Sequence, residues 1–122
     1  MIRALANVHT FETDHGAVDI APYDILWAEE IAEGAQLFTH LHLADRVLTC
    51  PQSLDTLLAT ADNIFLFCLL SGAVNQLRIR SFEDDKIVMD TGETLAISPF
   101  LSERFRQKYC SNLAQLVWED SR

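Results

Sequence analysis

Ile64-Phe65-Leu66-Phe67-Cys68-Leu69-Leu70-Ser71-Gly72 opens the stretch that decides the fold of this chain. Seven apolar residues end at a Ser-Gly stop, and five more short segments follow. Val74 to Phe82 ends at Glu83-Asp84-Asp85, Lys86 to Asp90 at Thr91-Gly92, and Thr94 to Ser98 at Pro99. Arg104 to Tyr109 precedes Ser111-Asn112, and Ala114 to Trp118 closes the series. Short, closely spaced strands with turn chemistry between them predict a small mainly-β sandwich or barrel. The first segment is apolar on both faces, which predicts a strand buried on both sides.

Composition sets the outer limits. At 122 residues the chain has the length of one domain, with 49% hydrophobic and 22% charged residues. That is the balance of a folded globular protein, with enough apolar area to offset the entropy of ordering. Nine basic residues stand against eighteen acidic ones, a formal charge of -9. Such a balance argues against binding a phosphate backbone or an anionic membrane. Cys50, Cys68 and Cys110 are odd in number and lack CxxC spacing, so they predict neither a disulfide framework nor a zinc knuckle. Cys68 reads as a small core hydrophobe. No signal peptide and no ~20-residue apolar span is visible, and the expected compartment is the cytoplasm.

The first third admits two readings. Pro22 and Gly34 bracket a segment that suits a short helix. The rival is a strand from Asp24 to Ile31, a turn at Glu33-Gly34 and a strand from Gln36 to Leu43, and this is preferred. Leu37 to Leu43 alternates: Leu37, Thr39, Leu41 and Leu43 share one face, and Phe38, His40 and His42 the other. Val47 to Thr49 continues the pattern to Cys50-Pro51. Leu54 to Thr60 is read as a further strand, with Leu57 buried and Asp55 exposed.

From Asp62 to Trp118 the sequence resembles the cupin-like sensor domain at the N-terminus of AraC-type transcription regulators. The resemblance rests on Phe65 to Gly72, on Asp90-Thr91-Gly92-Glu93 running into Leu95-Ala96-Ile97-Ser98-Pro99, and on Leu113 to Trp118. It implies a β container that senses a small molecule, with Phe65 to Gly72 as a central strand. Those regulators usually carry helix-turn-helix units after the sensor, and none follows here. The expectation is a stand-alone sensor-like domain or a piece of a longer regulator, Met1 favouring the first.

Gly34 followed by His40-Leu41-His42 fits the Gly-x5-His-x-His spacing that opens the metal site of many cupins. Alternation puts both imidazoles on one strand face, as two ligands of one metal require. The rest of that pattern fails: Asp45 stands one residue before the expected Glu, and Glu103 stands where the closing His belongs. No metal and no cofactor is therefore assigned, and the pair reads equally as ordinary strand histidines. Arg78 and Arg80 alternate onto one face of the Val74 to Phe82 strand. There they can grip an anionic carboxylate if that face points inward, or form a solvated edge if it points out. Arg104, Arg106 and Lys108 share one parity and predict a water-facing basic stripe. Trp27, Trp118, Phe38 and Phe67 suit either a ligand cavity or a filled core. His9 and His15 lie in a polar stretch and are expected to be solvated. No nucleophile elbow appears, and the cysteines lack a local His partner, so catalysis is not expected.

The sequence thus predicts a mainly-β, cupin-like or jelly-roll domain over 1–122, with room for one short N-terminal helix. Its expected role is a non-catalytic ligand-sensing or regulatory module. The candidate ligand-binding residues are His40, His42, Arg78, Arg80 and Trp27. The expected partners are a small molecule and a second copy or another protein, with no nucleic acid and no membrane. Two alternatives stand beside it: an acidic interaction or inhibitor protein that masks a basic partner, and a small metal-dependent cupin enzyme.

Overall fold

The computed structural model describes residues 8–59, 64–69, 71–83 and 86–97, together with residue 107. Apart from Gln107, the Arg104 to Tyr109 segment with its basic stripe lies outside the described residues, as do Ala114 to Trp118, Cys110 and Glu103. The mainly-β class expected from the sequence is observed. The strands form packed antiparallel sheets and no closed barrel among the described residues.

Strands β1 (His9–Thr13) and β2 (Gly16–Ile20) form a hairpin. A 3-10 turn at Pro22–Asp24 leads into β3 (Ile25–Glu33), which pairs with β4 (Gln36–Leu43), and β4 pairs with β5 (Val47–Cys50). After helix α1 (Leu54–Leu58) come β6 (Phe65–Leu69) and β7 (Gly72–Asn75), which complete a five-stranded sheet in the order β5-β4-β3-β7-β6. Strands β8 (Ile79–Glu83), β9 (Lys86–Met89) and β10 (Thr94–Ala96) form the third sheet in the order β10-β9-β8.

The strand-pair reading of the first third is the observed one. Pro22 opens a single 3-10 turn and no α-helix follows it. Gly34, at φ 61°, supplies the left-handed residue that the tight turn between Glu33 and Gln36 needs. Nothing lies within 4 Å of a Cβ added there. Gly34→Ala should therefore cost only backbone strain, about 1 kcal/mol in chemical denaturation.

The central sheet is buried on both faces, and a bulge in β3 makes this possible. The β3–β4 register shifts between Ile25 and Trp27, so Leu26 is an extra residue. Ile25 and Ala28 face one core with Leu41, Leu48, Cys50 and Ala73. Phe11 and Ile20 of the first hairpin, and Leu54, Leu57 and Leu58 of α1, close that core. Leu26 and Val74 face a second core with Ile87, Met89 and Ile97, and Trp27, Phe82 and Leu95 pack against it. Each fully buried Leu or Ile contributes about 1.5–3 kcal/mol of transfer free energy.

Polar ties fix the layers. Asp14 N–H donates to the Thr49 carbonyl at 2.9 Å, and Thr49 N–H donates to Asp14 Oδ1 at 3.0 Å, pinning the first hairpin to β5. That hydrogen bond from Thr49 is the main cause holding the exposed Asp14 carboxyl below its usual range.

Three sequence expectations need correction. Leu54 to Thr60 is not a strand. Ser53 caps a short helix by accepting from Thr56 N–H at 3.3 Å, and Glu30 Oε2 accepts from Leu54 N–H at 3.0 Å. Leu54, Leu57 and Leu58 share the buried side of that turn of helix, and Leu57 is buried with Asp55 exposed as expected. The Val74 to Phe82 strand is broken by a 3-10 turn at Gln76–Arg78, so its halves lie in different sheets. Finally, β6 is not central: among the described residues it is the outermost strand of its sheet, with Ile64 and Phe65 buried.

Candidate functional site

The corner between β7 and β8 is built by Asn75. Its side-chain carbonyl accepts from Leu77 N–H at 2.9 Å, nucleating the 3-10 turn. Its buried amide donates to the carbonyls of Ile25 at 2.9 Å and Tyr23 at 3.0 Å, and reaches Pro22 O at 3.5 Å. The turn then delivers Arg78 to internal partners. Its Nε donates to Asp90 Oδ2 at 2.5 Å and Nη2 to Asp90 Oδ1 at 3.2 Å. Nη1 donates to the Tyr23 carbonyl at 3.1 Å, and the guanidinium lies 4.7 Å from the Tyr23 ring centroid. The Asp90 hydrogen bonds raise the Arg78 pKa further above its ordinary value. Arg78 and Arg80 do not act as a pair. Arg78 is engaged by Asp90 and Tyr23, whereas Arg80 sits at a register shift in β8 and is exposed.

Trp27, His40 and His42 do come together, and Glu29 joins them. Counting outward from the Gly34 turn, Glu29 pairs with His40 and Trp27 with His42. The alternation of strand faces places all four side chains on the second face of the central sheet. Trp27 and His42 stack with ring centroids 3.6 Å apart and planes 8° from parallel. Trp27 Nε1–H donates to Glu93 Oε2 at 3.3 Å, which ties the indole to the turn before β10. Glu29 Oε1 lies 3.1 Å from His42 Nε2 and 3.7 Å from His40 Nδ1. On its other side Glu29 is opposite Gly72, which adds no side chain. The side chains of His42, His40 and Glu29 are 17%, 32% and 37% exposed, so solvent reaches the cluster. Glu29 was missed from sequence because it lies eleven residues before His40. The Gly34 turn carried the signal, since a two-residue connection fixes every pair along the hairpin.

The remaining candidates are dispersed. Phe38 is half-buried on β4, and the side chains of Phe67 and Trp118 lie outside the described residues. His15 is exposed as expected, but His9 is half-buried, with Nε2 buried and lacking a hydrogen-bond partner among the described residues. Cys50 is fully buried, and desolvation, helped by the Asp14 charge, pushes its thiol from the ordinary 9.0 up to about 11. The protonated thiol is the unreactive form. Iodoacetamide at about pH 8 should leave Cys50 unmodified in the native protein and label it after unfolding, as read by peptide mass mapping. Because the folded-state pKa is the higher one, this group's contribution to stability is complete below 9.0 and declines as pH rises towards 11.

These layers and this hairpin define a small, mainly-β domain of stacked antiparallel sheets. No protein-family model matches the sequence, and no curated protein matches it. Among solved structures the chain is similar to a domain from Bacillus cereus described as the LytTr DNA-binding domain of a methyl-accepting/DNA response regulator. That likeness has a TM-score of 0.57 at 22% identity and covers 90% of this chain and 95% of that one. It overturns the resemblance to a cupin-like AraC-type sensor and, with it, the ligand-sensing reading. It also removes the ground for excluding nucleic acid, because a chain of this fold is described as a DNA-binding domain. The Leu-Ser-Gly and Gly-Glu-x-Leu motifs behind the earlier resemblance are generic strand-and-turn chemistry, found wherever short strands follow one another. No helix among the described residues is long and apolar enough to cross a membrane.

Proposed function

We propose that this chain is a DNA-binding regulatory module, acting in the cytoplasm, that contacts duplex DNA through the basic side chains of its C-terminal half. The observation that carries the reading is the likeness in fold to the Bacillus cereus domain, which spans nearly the whole of both chains. The uneven charge supports it. Before Asn75 the only basic residues are Arg3 and Arg46. Between Arg78 and Lys108 the chain carries Arg78, Arg80, Lys86, Arg104, Arg106 and Lys108. Arg80 and Lys86 are exposed on the third sheet and make no ion pair among the described residues. The formal charge of -9 shapes the expected behaviour. The acidic residues, ten of them before Asn75, repel a phosphate backbone, so productive contact carries few phosphate bonds.

Selection from a pool of random duplexes tests this. The full chain should enrich a shared sequence element that shifts the protein in a gel at low salt. Failure to enrich any element, with no shifted complex at about 50 mM salt, would count against a DNA-binding role.

A further inference from the structure

We propose that Glu29, His40 and His42 form a binding site for a borderline divalent cation such as zinc, nickel or copper(II), independent of any contact with DNA. The three residues place one carboxylate oxygen and two imidazole nitrogens all within 4.8 Å of one another. Two imidazoles and one carboxylate are the donor set that such ions prefer over calcium or magnesium. Bonds of about 2.0–2.1 Å in tetrahedral geometry put donor atoms about 3.3 Å apart. Glu29 Oε1 stands 3.1 Å from His42 Nε2 and 3.7 Å from His40 Nδ1, on either side of that spacing. Small rotations of partly exposed side chains are enough to admit an ion.

The backbone around the cluster is already fixed. His40 and His42 alternate on β4, and Glu29 is the register partner of His40 on β3. The Trp27 stack orients the His42 ring, and the Trp27 hydrogen bond to Glu93 holds the indole. Neighbours that orient a ligand imidazole typically raise metal affinity about 10–100-fold. Three protein donors leave a coordination position open to water or to an anionic group of a partner.

The experiment is titration of the untagged full chain with zinc chloride and nickel chloride by calorimetry. It is paired with copper(II) quenching of tryptophan fluorescence in a Trp118→Phe background. There Trp27 is the sole indole and lies against a proposed ligand. The expected result is one ion per chain and strong quenching. Both should fall about tenfold or more in apparent affinity in His40→Ala and in Glu29→Gln, and stay unchanged in His15→Ala. Glu29→Gln is nearly isosteric at a partly exposed position, so circular dichroism should show an intact fold even if His40→Ala does not fold. Absence of stoichiometric uptake overturns the proposal, as does uptake or quenching that persists in Glu29→Gln. DNA binding by the metal-free protein is unaffected by either result, so the two proposals fail separately.

Discussion

Asn75→Ala should lower the stability of the protein by about 2–4 kcal/mol, the largest loss expected from any single polar truncation in the described structure. The side chain is fully buried and serves both strands that meet at the corner. Truncation removes the Asn75 donor from the Ile25 carbonyl, leaves the Tyr23 carbonyl with Arg78 alone, and takes the acceptor from the Leu77 N–H. Each buried group so orphaned costs about 1–3 kcal/mol, offset in part by local relaxation and water entry. Urea denaturation followed by circular dichroism reads the effect directly. A loss below about 0.5 kcal/mol would mean that the β7–β8 corner is held by something else. Asn75→Asp should be nearly as damaging. It keeps the acceptor for Leu77 but sets a carboxylate against the carbonyls of Tyr23 and Ile25.

Leu41→Ala should cost about 2–5 kcal/mol, and the contrast with Leu37→Ala on the same strand makes the measurement informative. Leu41 is 0% exposed and sits in the first core, whereas Leu37, on the same face, is 44% exposed near the hairpin tip. The Leu37 change should stay within about 0.5 kcal/mol. The buried face of β4 fixes where its other face points, since successive side chains alternate. A large loss at Leu41 therefore also supports the placement of His40 and His42 on the opposite face, beside Glu29. Equal losses at the two leucines would contradict the burial gradient along the strand.

Much of this architecture was legible in local patterning. The alternation of Leu37 to Leu43, the Gly34 turn and the turn signal after Asp90 each reappear as observed elements. What was not legible depended on contacts distant in sequence. Leu54 to Leu58 is too short for periodicity to overrule an extended reading, and its cap partner Glu30 lies on another strand. The break at Gln76–Arg78 is invisible in a run that alternates well, because it rests on carbonyls 50 and 52 residues earlier. The bulge at Leu26 is hidden for the same reason, although it sends Ile25 and Leu26 to different cores. Of the candidate site, the sequence brought out His40 and His42 as a pair on one strand face and Trp27 apart from them. Their meeting with Glu29 follows only once the hairpin register is fixed. Arg78 shows the opposite failure: it reads either as an anion-binding group or as a solvated edge, and is in fact held by Asp90 and Tyr23.

For the proposed role, net charge is the coarsest of the sequence signals. A net value of -9 treats the chain as one uniform field, yet its basic residues gather after Asn75. Binding to a polyanion depends on the local face that meets it, not on the total.

The most direct test of the proposed role is fluorescence anisotropy of a selected, labelled duplex titrated with the full chain across a salt series. A contact made through a few side chains such as Arg80 and Lys86 should give a slope of log K against log salt of about -3 to -4. The Arg80→Ala, Lys86→Ala double variant should weaken binding and reduce that slope by about 2. Saturable binding with this loss is the predicted result. Absence of binding at about 50 mM salt, or binding that the double variant leaves untouched, would contradict it.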